Sequence, residues 1–334
     1  MATVGDGTRV GVARRTRWLP VLSVLVAAPW FAELSWGGYP LTDLPLIVLF
    51  LGPLYGGAAL LIREFARRTG RGWPTILLLG AAFGVLQAGL VDQSLFNPHY
   101  GRYDFQHPVH LEVPGLSLYH LVSFVTGHAV ASIATPLALA ESWSRRGREP
   151  WLGRVGLTVV ALAYLLAAVV NHLGVKDEEG AGFQASPLQV LVASTAVLVL
   201  VAAAVLRRRR PGTGSVVPSP VVLAVFGFGA YLLYLPGENA AALVCAVVVI
   251  TCCVLALGHL SRSRDWGPDH TLALALGVVL VGVVVPFWAD PYDDRVAAGA
   301  EFLADVGAAG VSLAVVAATL LRRRYLLRHT SPAA

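Results

Sequence analysis

Ten apolar runs follow one another along this chain, each close to the length that a helix needs to cross the hydrocarbon core of a bilayer. A crossing helix takes about 20 residues at a rise of about 1.5 Å each. No water is present at that depth to satisfy backbone N–H and C=O groups, so such runs must close their hydrogen bonds internally, as helices. The runs cover residues 18–38, 41–62, 73–96, 116–140, 155–173, 187–206, 221–235, 239–260, 271–289 and 300–321. The expected fold is an all-α polytopic integral membrane protein, with about ten transmembrane helices in one bundle. Composition agrees: 56% of residues are hydrophobic, 13% are charged and the mean hydropathy is +0.67. Soluble domains hold roughly half apolar and a quarter charged residues.

The charge pattern tests the count, because alternate loops must share a side. Of the 25 basic residues, 22 fall on the side of the two termini, and Arg102, Lys176 and Arg295 fall on the other. Basic loops stay in the cytoplasm, so both termini are expected there. Residues 1–17 and 322–334 then form cytoplasmic ends around one membrane domain, 18–321. Arg9, Arg14, Arg15 and Arg17 before the first run resemble the start of a signal peptide. The run is too long, contains Glu33 and lacks a small-residue cleavage site, so an uncleaved first span is expected. A net charge of +5 and a pI of 9.3 would otherwise suggest nucleic acid. Short basic clusters between apolar runs are topology signals, so the expected partner is the lipid bilayer and not a nucleic acid.

Polar residues at membrane depth are costly and mark functional places; a carboxylate at the bilayer centre costs about 2.5–3.5 kcal/mol on insertion scales. They are concentrated in residues 18–173, as Glu33, Gln87, Asp92, His120 and His128, whereas 187–321 is mostly apolar and reads as scaffold. In the third run Gly80, Gly84, Ala88 and Asp92 recur every four residues. In the fourth, His120, Phe124, His128 and Ser132 do the same, with Gly127 and Ala131 beside them. Small residues let backbones approach, so these two helices should be neighbours. Counting from the run ends puts Asp92 and His120 roughly 6–8 Å below the outer boundary, with Glu33 and Asp305 at comparable depth and His128 near the middle. The functional expectation is a pocket open to the outer side, lined by Glu33, Asp92 and His120, with Gln87 and His128 at its floor. The plainer alternative is that Asp92 and His120 hydrogen-bond to each other and glue two helices.

The outer loop, 97–115, exceeds the usual helix connection and suits a lid or binding segment. His99, His107, His110 and Glu112, with Asp104, are residue types that ligate zinc or copper. Pro108 keeps them off a regular helix, so an aromatic interfacial loop is the better reading and no metal or cofactor is assigned. Cys245, Cys252 and Cys253 share a helix face, where packing is their expected role. The acids Asp177 to Glu179 and Asp290, Asp293 and Asp294 read as solvated outer loops, with attraction of cations as the alternative.

The segment Glu33 to Trp151, with "ALLIREFARRTGRGWPTILLLGAAFGV", "SLFNP", "GHAVASIATPLALAE" and "PWLGR", resembles uncharacterised multi-pass membrane proteins of high-GC Gram-positive bacteria. That resemblance implies a bacterial cytoplasmic membrane and transfers no activity. Phe124 and His128 also resemble the Phe-x-x-x-His motif of CAAX-type intramembrane proteases. The glutamate pair and arginine of that family are missing, with Gln87, Ala88 and Asp92 in their place. Without a carboxylate to activate water, its hydrolysis should not run. A small-solute transporter taking its solute from the outer side is therefore the first expectation, a non-catalytic scaffold or sensor the second, and a degenerate intramembrane hydrolase the third.

Overall fold

The computed structural model describes residues 7–37, 42, 44–144, 147–177, 180–207, 211–234, 237–289 and 297–330. The loop residues Arg145, Arg146, Glu178, Glu179, Asp290, Asp293, Asp294 and Arg295 lie outside the described residues. Ten apolar helices are present among those described: α1 Trp18–Leu34, α2 Leu44–Arg68, α3 Trp73–Val91, α4 Leu118–Trp143, α5 Arg154–Asp177, α6 Pro187–Leu206, α7 Pro220–Leu233, α8 Ala240–Leu260, α9 Pro268–Phe287 and α10 Ala298–Leu326. Eight are long and apolar enough to cross a membrane unaided, and α1 and α7 are shorter. The all-α polytopic expectation holds, with shifted ends: α3 stops at Val91, α5 runs on to Asp177, and α9 finishes in a tight turn at Val285–Phe287.

Local chemistry sets several helix starts. Ser186 and Gln189 form a reciprocal cap on α6, Ser219 caps α7, and Asn239 caps α8. Pro187, Pro220 and Pro268 occupy first-turn positions, where a missing N–H costs nothing and the fixed φ suits a helix.

Burial separates the bundle into a centre and a lipid-facing rim. Helices α1 to α4 supply a core around Val24, Leu54, Leu60, Ile133 and Leu137, whereas α5 contributes no buried residue and α6 and α8 only two alanines each. Apolar side chains facing lipid are at no disadvantage, so association rests on close packing and polar contacts. The α3–α4 contact follows the small-residue expectation. A Cβ on Gly80 would stand 3.0 Å from Ala129 Cα, and one on Gly84 would stand 2.9 Å from Val125 Cα. Gly127, expected beside this seam, faces open space. Helices α7 and α9 use the same device, Gly227 meeting the Leu274 carbonyl.

One end of the central helices is fastened by an ionic knot. Arg63 is fully buried; its Nε donates to Glu141 at 2.9 Å, one terminal nitrogen to Glu64 at 3.0 Å, and the other to the carbonyls of Gly147 (2.6 Å) and Glu149 (2.9 Å). Its guanidinium lies 3.2 Å above the Trp151 ring. Arg67 forks onto both oxygens of Glu141 at 2.7 and 2.6 Å, Glu64 accepts from the Trp151 N–H at 2.6 Å, and Arg68 bonds Glu64 and the Leu152 carbonyl. The knot joins the ends of α2 and α4 to the segment before α5. Its residues come from "ALLIREFARR", "GHAVASIATPLALAE" and "PWLGR", three of the segments that carried the family resemblance.

Candidate functional site

In each of the first four helices the backbone widens to a π-type turn, and each wide turn carries a polar or phenolic group. The turns are Trp30–Leu34 with Glu33, Gly52–Gly56 with Tyr55, Gln87–Val91 with Gln87, and His128–Ala134 with His128 and Ser132. Three have a proline beside or within them: Pro29, Pro53 and Pro136. Proline cannot donate to the carbonyl four residues back and its ring crowds that carbonyl, so the ladder slips to the fifth residue. Ser35 N reaches Trp30 O at 2.8 Å and Asp92 N reaches Gln87 O at 2.9 Å in this register.

Three of the wide turns meet. Tyr55 donates its hydroxyl to Glu33 Oε1 at 2.5 Å. Its ring faces His128 with centroids 5.6 Å apart, and Phe83 stands edge-on to both, at 5.9 Å from Tyr55 and 5.5 Å from His128. His128 Nδ1 sits 3.1 Å from Ser132 Oγ. The result is a polar thread, Glu33 to Tyr55 to His128 to Ser132, walled by aromatic rings.

A second cluster lies on the remaining wide turn, Gln87–Val91. Gln87 is 1% exposed and its amide nitrogen donates to Asp92 Oδ2 at 3.2 Å and Asn171 Oδ1 at 3.0 Å, while its Oε1 is buried without a partner. Asp92 also accepts from the Ser94 N–H at 2.9 Å, and His172 bonds the Val91 carbonyl at 2.8 Å. Asp92 opens onto a cleft walled by Gln93, Asn97, His172 and Lys176, to which neither Glu33 nor His120 contributes.

His120 belongs to a third setting. Its Nε2 lies 2.8 Å from the His107 carbonyl, and Phe105 and Phe124 pack on its ring at 5.0 and 5.6 Å. The loop folds down through a hairpin of β1 His110–Leu111 and β2 Leu116–Ser117, with Ser117 also bonding the Pro108 carbonyl. The rings of His107 and His110 stack at 5.6 Å, yet His107 Nδ1 faces Asp104 and His110 Nδ1 faces the Gln106 carbonyl. Among the described residues no three His, Cys, Asp or Glu side chains gather as a metal would need. The Gln106 N–H, at 2.9 Å, and the His107 ring hold the Asp104 carboxyl below the usual carboxylate range.

A model of an uncharacterised membrane protein family matches residues 21–324. The chain belongs to that family. No curated protein and no solved structure matches it. The family match covers both the polar helices and the apolar second half, and it fixes an integral membrane protein without an activity.

For this family member, then, the five residues singled out by sequence fall into three settings. Gln87 and Asp92 touch directly, Glu33 and His128 are joined through Tyr55, and His120 is covered by the outer loop. Sequence reasoning missed Tyr55, Asn171 and His172. Tyr55 had a legible signal: Gly52-Pro53-Leu54-Tyr55-Gly56-Gly57 interrupts an apolar run with the residues that break helices inside membranes. Asn171 and His172 lie near the end of a mostly apolar helix that runs on to Asp177, and they carried no comparable mark.

Proposed function

We propose that this protein is a permease for small solutes, entered from the arginine-poor side, with Glu33, Tyr55, Gln87, Asp92 and His128 along its path. The observation that supports this reading is the coincidence of polar groups with wide turns in four successive helices. Wide turns leave carbonyls out of register and recur at functional sites, and interrupted helices near midplane are how transporters build sites. The 22-to-3 split of basic residues supports cytoplasmic termini, in a bacterial inner membrane as the family likeness implies.

The test is uptake into liposomes holding the full-length protein, with labelled amino acids, sugars, amines and organic acids as probes. Protein-dependent uptake of one class, lost in Glu33→Gln and Tyr55→Phe at equal insertion, supports a permease. Inserted wild-type protein that moves none of these classes removes it. A scaffold or sensor is the second reading, favoured by the packing of Phe105 onto His120 and Phe124, which makes the outer loop one body with α4. In that case wild type, Glu33→Gln and Tyr55→Phe should all leave flux at the background of empty vesicles.

A further inference from the structure

The arginines of the arginine-rich side are of two kinds. Arg63, Arg67, Arg68 and Arg323 each meet a carboxylate. Arg71, Arg207, Arg262 and Arg264 meet none among the described residues. These four gather where α3 begins and where α6 and α8 end. Arg71, just before α3, donates a terminal nitrogen to the Val205 carbonyl in the last turn of α6, at 2.7 Å. Two residues on, Arg207 stands exposed at the end of that helix. From beyond the end of α8, Arg262 donates its Nε to the Pro211 carbonyl at 2.9 Å. The four steps from Arg207 to Pro211 reach at most about 14 Å. Further bonds tie this stretch to the end of α8: the Thr213 N–H to the Arg262 carbonyl at 3.0 Å, Ser263 Oγ to the Ser215 carbonyl at 2.7 Å, and Ser215 Oγ with His259 Nε2 at 2.6 Å. Loop and helix end form one basic shelf.

Cations gathered without a counter-charge make a field that concentrates anions. The donors say which chemistry fits. A guanidinium offers five N–H groups in a fork that matches phosphate oxygens, and Arg71, Arg207 and Arg262 each spend at most one of them on this chain. The surroundings say where the phosphate comes from. Helices α6 and α8 bury only two alanines each and so form the lipid-facing rim, and Leu206, beside Arg207, is 76% exposed. An arginine at the end of such a helix lays its stem on apolar surface and holds its charge at head-group level. A soluble anion would meet the arginines and leave Leu206 bare, whereas a phospholipid covers both. A zwitterionic head group brings a cation of its own, which these arginines repel.

We propose that this shelf seats an anionic phospholipid, its phosphodiester held by Arg71, Arg207 and Arg262 and its chains lying along the outer face of α6. None of these residues belongs to the polar thread, so the seat stands whether or not the protein is a permease. The probe is phosphatidylglycerol, titrated into the full-length protein in a neutral detergent, with phosphatidylcholine of the same chains and inorganic phosphate as comparisons. Bound lipid is counted by native mass spectrometry and stabilisation is read from the unfolding midpoint. Phosphatidylglycerol alone should be retained and should raise the midpoint. Arg71→Gln, Arg207→Gln and Arg262→Gln should each weaken retention about fivefold, the equivalent of about 1 kcal/mol per arginine at a membrane surface, and the triple variant about a hundredfold. Arg328→Gln, which removes an exposed charge just beyond α10 on the same side, should leave retention unchanged. Retention of neither lipid, equal retention of phosphatidylcholine, an equal response to inorganic phosphate, equal weakening by Arg328→Gln, or wild-type retention by the folded triple variant overturns the assignment. Should the triple variant fail to fold, wild-type retention by all three single variants overturns it instead.

Discussion

The two ends of the central helices bury polar groups in opposite ways. At the arginine-rich end the knot of Arg63, Glu64, Arg67 and Glu141 has its charges matched and its carboxylates bonded, with Arg63 and Glu64 buried and the other two partly so, and beyond the knot on that side only Arg71 Nε and Thr213 Oγ1 are buried without partners among the described residues. Toward the other end, Gln87 Oε1, Tyr231 OH and Ser312 Oγ are buried without partners among the described residues. A polar group with every valence filled by its own chain has nothing left to offer a ligand, and its role is to fix geometry. One left open at a cost of about 1–3 kcal/mol is where a solute, ion or water has something to gain. Burial alone does not separate function from architecture in this protein. Satisfaction does.

The sharpest way to break that contrast is at Arg63. Arg63→Ala leaves Glu141 to Arg67 and Glu64 to Arg68, strands the Gly147 and Glu149 carbonyls, and should lower stability by about 3–5 kcal/mol, read as a large fall in the unfolding midpoint in detergent. Arg63→Lys should recover little, because an ammonium cannot fork onto two carboxylates and stack on Trp151. If Arg63→Ala unfolds with the wild type, the knot is not a fastening and the two ends are not different in kind.

A smaller effect is expected at the α3–α4 seam, where Gly84→Val pushes a branched side chain against the Val125 backbone and should cost about 1–3 kcal/mol. The same change at Gly127, which faces open space, should be neutral in the same unfolding assay. Smaller again is Tyr55→Phe, which removes one hydroxyl from Glu33. Hydrogen bonds between membrane helices average about 0.6 kcal/mol and reach about 1.7, so stability should hardly change while uptake is lost. A fall in stability as large as that of Arg63→Ala would make the thread architectural.

The smallest effect is the pH response of the outer loop. Asp104 has a lowered folded-state pKa, through the Gln106 N–H and then the His107 ring. Its contribution is therefore present above the ordinary carboxylate range and is lost as pH falls through the lowered value. The protection of the Gln106 amide, taken relative to the intrinsic exchange rate at each pH, should fall only in that acid window, and Asp104→Asn should remove that change. Protection that stays constant through the acid window would show that the carboxylate does not hold the Gln106 amide.

Much of this was legible beforehand, for identifiable reasons. The ten helices follow from the length of apolar runs, and the α3–α4 contact follows from Gly80 and Gly84, because backbone approach depends only on small residues being present. The thread was half legible. Glu33 and His128 stood out as polar groups in apolar runs, but Tyr55, which joins them, reads as an ordinary amphipathic ring. His120 was expected to face a pocket and is instead roofed by the His107 carbonyl, a contact that depends on how a 19-residue loop folds back. The knot was hidden in plain view, since Arg63, Arg67 and Arg68 read as topology signals, and arginines that mark a side look the same in sequence as arginines that are buried.

The sequence by itself determined the solvent, the helical class and the helix order, because lipid imposes those on any chain with this spacing of apolar runs. Which polar groups have partners was decided only by the tertiary structure. Pairing needs residues as far apart as Arg63 and Glu141, or Tyr55 and Glu33, to meet within hydrogen-bond distance, and no local pattern encodes that meeting.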